Sequence, residues 1–362
     1  MLYSFRMTRR TLPRLTRPIT SLVALLALGV SSAYAQLTPE RLYYGRDRRM
    51  PVVVEVPERF AGEITIELRK RGEARAIETA AGAAGRVDLA ALFPGLWRSE
   101  KPETLYAQLV LDGAPIGPAL VLQPMLTPNY AMNMSEQNPM LPVIGRGRVM
   151  FEDERVALRH QSGLSDQGER EVVYSGIRAY VDRHVILETS EGEIRFRMRP
   201  DAAPNTAFNF LHLAEGGLYT DVIFHRVVAT LPNGAPFVIQ AGDPSGGGFG
   251  GPGYFLDLEP TTLRHDFGVL SMARSDDPNS NGSQFFICLS REGTAHLDGR
   301  YTAFGEAISG AEVIERIARV EVGENDRPVD PPMIIRARVV DAPPLGQEPD
   351  RVSRPESPRV DR

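Results

Sequence analysis

A mainly β fold is the expectation for this chain: a closed antiparallel β-barrel capped by two helices, preceded by a small β-sandwich-like domain. Three observations predict it. Short β-branched or alternating runs, punctuated by Gly and Pro, recur between Val52 and Leu122. A hairpin pattern opens the second half, with Val185 to Thr189 and Ile194 to Met198 joined by Ser190-Glu191-Gly192-Glu193. Beyond it, strand-like runs outnumber two stretches of helical spacing, and closing such a sheet on itself removes its edges. A length of 362 residues and a hydrophobic content of 42% support two folded units with their own cores.

Taken in order, residues 1–35 read as a signal peptide. Arg6, Arg9, Arg10, Arg14 and Arg17 precede an apolar run from Ile19 to Val30, and Ala33-Tyr34-Ala35 offers small residues for cleavage, so the mature chain is expected to begin near Gln36. The run is short for a bilayer span, and no later segment approaches the roughly 20 apolar residues of a membrane helix. This predicts an exported protein of the periplasm or the extracellular space, with no membrane span. A net charge of -5, with no Lys/Arg block beyond the N-terminus, argues against a nucleic-acid partner. The single cysteine, Cys288, excludes an intramolecular disulfide and any thiolate metal cluster. It follows Phe285-Phe286-Ile287 and reads as a small buried side chain.

Residues 36–130 are expected to form the sandwich-like domain, of unknown role. Val52-Val53-Val54, Ile64-Thr65-Ile66 and Leu105 to Leu111 are strand runs, and Asp112-Gly113 marks a turn into Ile116 to Leu122. An immunoglobulin-like sandwich fits this spacing, with the only tryptophan, Trp97, in its core, and no catalytic constellation is visible there. Residues 131–183 turn to Pro, Asn, Met and Gly, then to charges around Glu152-Asp153-Glu154-Arg155, as in a linker or irregular bridge. Within residues 184–342, Ala203-Pro204-Asn205-Thr206 opens a helix able to bury Phe208, Phe210, Leu211 and Leu213 before Gly216-Gly217 stops it. Val313, Ile314, Ile317 and Val320 space a second helix. Residues 343–362 alternate Pro, Ser, Glu, Asp and Arg with almost nothing apolar, the composition of a disordered tail.

Five blocks follow one another inside residues 184–342: Ile223-Phe224-His225-Arg226-Val227, Phe237-Val238-Ile239-Gln240-Ala241-Gly242-Asp243, Gly268-Val269-Leu270-Ser271-Met272-Ala273, Asn279 to Ile287 through Gln284-Phe285-Phe286, and His296-Leu297-Asp298-Gly299 with Phe304-Gly305. In this order they resemble the cyclophilin family of peptidyl-prolyl cis/trans isomerases, over slightly under half of the chain. The resemblance implies a cyclophilin-like barrel, action on proline-containing polypeptides and no cofactor or metal. It makes Arg226 the catalytic cation with Gln240 beside it. Phe237, Val238, Ala273, Arg274, Gln284, Phe286, His296, Leu297 and Tyr301 then form the substrate groove. A monomer assisting the folding of exported proteins is expected; the alternative is a non-catalytic proline-peptide-binding or chaperone module.

The chemistry suits these residue types. Turning an X-Pro amide means crossing a barrier of roughly 18–20 kcal/mol without breaking a covalent bond, so the enzyme must weaken amide resonance. A guanidinium hydrogen-bonded to the prolyl nitrogen as it becomes pyramidal stabilises only the twisted form, and arginine stays protonated at any relevant pH. An apolar pocket edged by a few polar groups grips the pyrrolidine ring. His225 and His265 read as hydrogen-bonded structural residues, since no titrating base is needed. The run Gly246 to Gly253 lacks a P-loop's Lys-Ser/Thr ending and reads as a surface loop beside the groove. Against the family pattern, the connection Ala229 to Pro236 is long, Val238 replaces a commoner Met, and His296 and Tyr301 stand where many eukaryotic members carry Trp and His. Those last two are substitutions of bacterial-type members, and they imply weak cyclosporin affinity.

Overall fold

The computed structural model describes residues 36–128, 132–135, 138–144 and 172–355. The expected signal peptide, most of the expected bridge and the end of the tail lie outside the described residues. The described residues form one compact unit, built from an N-terminal sandwich and a barrel.

The sandwich packs a three-stranded sheet, in the order Gln36–Pro39, Pro51–Glu55, Gly85–Asp88, against a seven-stranded one. The larger sheet runs Tyr43–Gly45, Val172–Val181, Leu120–Pro128, Leu105–Leu111, Ile64–Arg69, Glu78–Ala81, with Ala114–Pro115 paired to Leu105–Leu111. Alternate residues of both sheets point inward, and Leu37, Val52 and Val54 meet Ile66, Leu68, Leu109, Leu122 and Ile177 in one core. Trp97 joins that core, 6.3 Å from the Tyr174 ring.

The strand Val172–Val181 corrects the expected boundary. Residues 172–181 are not bridge but a central strand, paired with both Leu120–Pro128 and Tyr43–Gly45. Its Tyr174, Ile177 and Ala179 are buried in the sandwich core, an alternation hidden in the sequence by Ser175, Gly176 and Arg178 between them.

The second sheet has nine strands, all antiparallel, in the order Val222–Ile223, Met333–Asp341, Arg183–Thr189, Gly192–Met198, Ala303–Ser309, Val269–Met272, Phe285–Cys288, Pro236–Ala241, Arg226–Thr230. Its two outermost strands are consecutive in sequence, separated only by Phe224 and His225, so the chain itself brings the ends of the curled sheet together. The opening hairpin turns through Ser190 and Glu191, with Thr189 opposite Gly192.

Two helices cap the barrel. Pro204–Glu215 begins with Pro at its first turn, where a missing N–H costs nothing. Its N-cap, Ala203, offers no side chain; instead Glu259 accepts from the Asn205 and Thr206 amides at 2.9 and 2.7 Å, placing a negative charge at the positive end of the helix. Phe210 lies in the barrel core against Phe285, Phe304 and Tyr219, while half-buried Phe208 turns outward to meet Tyr180 of the sandwich, 5.1 Å between ring centres. The second helix, Ala311–Ala318, buries Val313, Ile314 and Ile317 as its spacing predicts. No helix among the described residues is long and apolar enough to cross a membrane.

The described part of the tail is ordered, against expectation. Leu345 is buried with Tyr106, Ala119 and Val121, and its amide donates to Gln108 at 2.8 Å. Val352 N–H donates to the Ala307 carbonyl, Arg351 pairs with Asp266 and Arg354 with Glu315. A segment poor in apolar residues is thus held by matched charges and one leucine, and composition alone does not disclose where its partners lie.

Candidate active site

Strand alternation generates two apolar surfaces from one sheet. Val227, Ile239, Ala241, Phe285, Ile287, Leu270 and Phe304 face the barrel interior. Their neighbours Val238, Phe286, Cys288, Val269 and Ala303 face the other way and gather with Leu297 into a second cluster, against which Val228, Phe237, Ala273 and Tyr301 pack. The adjacent phenylalanines therefore divide, Phe285 to the core and Phe286 to the outer cluster.

Register places the polar groups beside this cluster. Arg226 lies opposite Gln240, Gln240 opposite Phe286, and Phe286 opposite Ser271, forming one row across four strands on the same face. Arg226 Nη1 donates to Gln240 Oε1 at 3.5 Å, Gln240 Nε2 to Gln284 Oε1 at 3.0 Å, and Gln284 Nε2 to the carbonyls of Gly248 and Gly250 at 2.9 Å each. Each amide is thereby oriented by the next, and the chain of bonds ends on the glycine loop. The guanidinium itself is half-exposed, available to a ligand.

Aromatic side chains edge the far end. Phe237 stacks with His296, ring centres 5.7 Å apart, and Phe286 meets Tyr301 edge-on at 5.8 Å. Arg274 lies over the Tyr301 face at 4.5 Å and donates to the Ser275 carbonyl, so its charge is already engaged. The Ala273 amide donates to the Gln284 carbonyl at 2.9 Å, tying the two halves of the groove. The fold thus assembles Arg226, Gln240, Phe237, Val238, Ala273, Arg274, Gln284, Phe286, His296, Leu297 and Tyr301 on one surface.

The histidines behave differently from one another. His265 is fully buried, with Nδ1 3.0 Å from Asp298 Oδ1 and Nε2 2.9 Å from Ser271 Oγ, behind the Phe286 ring. Burial lowers its pKa although Asp298 opposes the shift. His225 is buried too, and neither ring nitrogen meets strict hydrogen-bond geometry among the described residues, although the Gln284 side chain beside it opposes the effect of burial. Burial in the corner between the two edge strands lowers its pKa. Cys288 is buried and burial pushes its thiol pKa upward, away from reactivity.

Two carboxylates belong to the site that sequence reasoning did not single out. Asp326 lies 3.4 Å from Arg226 Nη2. Asp243, fully buried, accepts from the amides of Ser245, Gly248 and Gly250 at 2.7, 2.5 and 3.0 Å, and from Ser245 Oγ at 2.7 Å. A Cβ at Gly250 would stand 2.0 Å from Asp243 Oδ1, which explains a glycine there. Burial would raise the Asp243 pKa, but the converging donors from Gly250, Ser245 and Gly248 outweigh it and hold the group down at about 2. With an ordinary value of 3.8, its contribution is present above that pH and lost as pH falls through about 2. Asp243→Asn is expected to destabilise the fold by about 2 kcal/mol near neutrality. Urea melts of variant and wild type should converge in strong acid.

Comparison with known proteins falls within the barrel. A family model described as cyclophilin type peptidyl-prolyl cis-trans isomerase/CLD matches residues 184–339. Peptidyl-prolyl cis-trans isomerase-like 1 of Aspergillus fumigatus is 44% identical over 162 residues, covering 43% of this chain and 95% of that protein. Peptidyl-prolyl cis-trans isomerase ppi1 of Schizosaccharomyces pombe is 42% identical over 159 residues, 42% of this chain and 97% of its own length. A crystal structure of a Cryptosporidium parvum cyclophilin type isomerase is 34% identical, with a TM-score of 0.39, covering 42% of this chain and 96% of that one. Through residues 184–339 this chain belongs to the cyclophilin-type peptidyl-prolyl cis-trans isomerases and is an enzyme of that family.

Proposed function

We propose that this isomerase acts on exported polypeptides, with Arg226 as the cation that eases rotation of the X-Pro amide. One observation carries the reading: a half-exposed guanidinium, tethered by Gln240, borders an apolar cluster of Phe237, Val238, Phe286, Leu297 and Tyr301. A pyrrolidine ring seated on that cluster brings its nitrogen within reach of Arg226, while Gln240 remains near enough to hold the adjoining carbonyl. As the amide twists, its nitrogen becomes pyramidal and accepts a hydrogen bond that the planar form cannot, so the interaction strengthens only on the way to the transition state. No proton transfer enters this mechanism. A protease-coupled assay on a prolyl peptide, comparing wild type with Arg226→Ala, tests the assignment.

Export rests on the arginine-rich, apolar, Ala-Tyr-Ala pattern of residues 1–35. On this reading the enzyme, a monomer, meets chains whose folding is delayed by prolyl isomerisation over tens to hundreds of seconds. His296 and Tyr301 support a reading as a bacterial-type member. N-terminal sequencing of the protein recovered outside the cytoplasm should return Gln36 or a close neighbour as the first residue; a full-length cytoplasmic product would refute this reading.

A further inference from the structure

The loop between the second capping helix and the last strand, residues 321–332, crosses to the catalytic face. Its backbone is unusual: Asn325 and Asp326 are successive non-glycine residues at φ of 58° and 59°, a left-handed pair that costs energy unless the surroundings fix it. The surroundings do fix it. The Val329 amide donates to the Glu321 carbonyl at 2.9 Å, the Gly323 amide to Arg327 at 2.8 Å, and Arg327 Nη1 reaches the Gly246 carbonyl at 2.8 Å. The result of this arrangement is the Asp326 carboxylate 3.4 Å from Arg226 Nη2, on the nitrogen that Gln240 does not use.

We propose that Asp326 is a positioning residue for the isomerisation, one that fixes the guanidinium plane of Arg226 from the side opposite Gln240. An arginine on a long side chain has several rotamers, and only those aiming an N–H at the prolyl nitrogen are productive. Gln240 restrains one terminal nitrogen and Asp326 the other, so the plane is set before the substrate arrives. Both contacts are long for charge-assisted bonds, which leaves the guanidinium free to tighten on the pyramidal nitrogen as it forms. Because the productive bond exists only in the twisted amide, losing this restraint lowers kcat and leaves KM unchanged.

The inference rests on Arg226 being the cation, and the test separates the two. Steady-state kinetics on a prolyl peptide are measured for wild type, Asp326→Asn, Asp326→Glu, Asp330→Asn and Arg226→Ala. Asp326→Asn is expected to lower kcat roughly two- to fivefold at constant KM, the range for a half-exposed ion pair. Asp326→Glu should recover most of that loss, and Asp330→Asn, which removes an exposed carboxylate from the same loop, should match wild type. An unchanged or raised kcat in Asp326→Asn overturns the proposal, as does a change in KM alone. Equal losses in the Asn and Glu variants, or an equal loss in Asp330→Asn, also overturn it, because loop shape or net field would then be the cause. Full activity in Arg226→Ala removes the premise along with the inference; an impaired Arg226→Ala beside a normal Asp326→Asn removes the inference alone.

Discussion

Arg226→Ala is expected to lower kcat/KM on a prolyl peptide about 10²- to 10³-fold, the cost of deleting one preorganised donor aimed at developing charge. The loss should fall on kcat. The apolar cluster proposed to receive the ring, Val238, Phe286 and Leu297 with Phe237 and Tyr301, does not contain the guanidinium and should keep its affinity without it. The fold is also insulated from the change, since the Arg226 side chain is 41% exposed and its partners are the amide of Gln240 and the half-exposed carboxylate of Asp326. Arg226→Lys should recover little. Lysine keeps the charge but presents a point, whereas Arg226 engages Gln240 and Asp326 through separate nitrogens of one rigid plane. A wild-type rate in Arg226→Ala would remove the electrostatic account of catalysis at this site, and one in Arg226→Lys would remove the need for a planar donor.

The parts of this molecule that were legible in its sequence share a physical reason. Blocks such as Phe237 to Asp243 and Gln284 to Ile287 carry both the alternation that builds a strand and the side chains of the groove, so one pattern announces fold and site together. Phe285 and Phe286 illustrate it, since period two alone sends one inward and one outward. What escaped was set by contacts distant in sequence. Val172–Val181 is a strand because Leu120–Pro128 and Tyr43–Gly45 flank it, and nothing local in a run with Gly176 at its middle compels that. The described part of the tail, residues 343–355, is ordered because its few useful groups meet partners far upstream, Leu345 at Gln108 and Tyr106 and Glu348 at Arg71. Asp326 escaped for a similar reason: an acidic turn reads as solvated surface until the backbone that aims it at Arg226 is known.

Arg71→Met is expected to destabilise the protein by about 3–5 kcal/mol, more than any single change at the groove, because it strands charges that the fold has already taken out of water. Arg71 is nearly buried where sandwich, barrel and tail meet. It pairs with Asp182 at 2.6 Å and Glu348 at 2.5 Å, approaches Asp201 at 3.6 Å, and lies over the Tyr106 ring while donating to its hydroxyl at 3.1 Å. Asp182 and Glu348 are themselves only 3% and 5% exposed, so removing the guanidinium leaves two carboxylates close together with neither water nor a counterion. Burial already pushes the Asp182 pKa up to about 6, with Glu348 adding to the rise and Arg71 opposing it. A carboxyl raised in this way favours the folded state in acid, and that contribution is lost as pH climbs through about 6. Without Arg71 the opposition disappears and the group holds its proton more tightly still. The destabilisation of Arg71→Met should therefore be largest near pH 8 and shrink toward about pH 5, where protonation relieves the unpaired charge. Urea denaturation at the two pH values measures it. A loss below about 1 kcal/mol, or one that does not diminish in acid, would mean that the carboxylates find water and that this junction is held by packing around Leu345 and Phe208 instead.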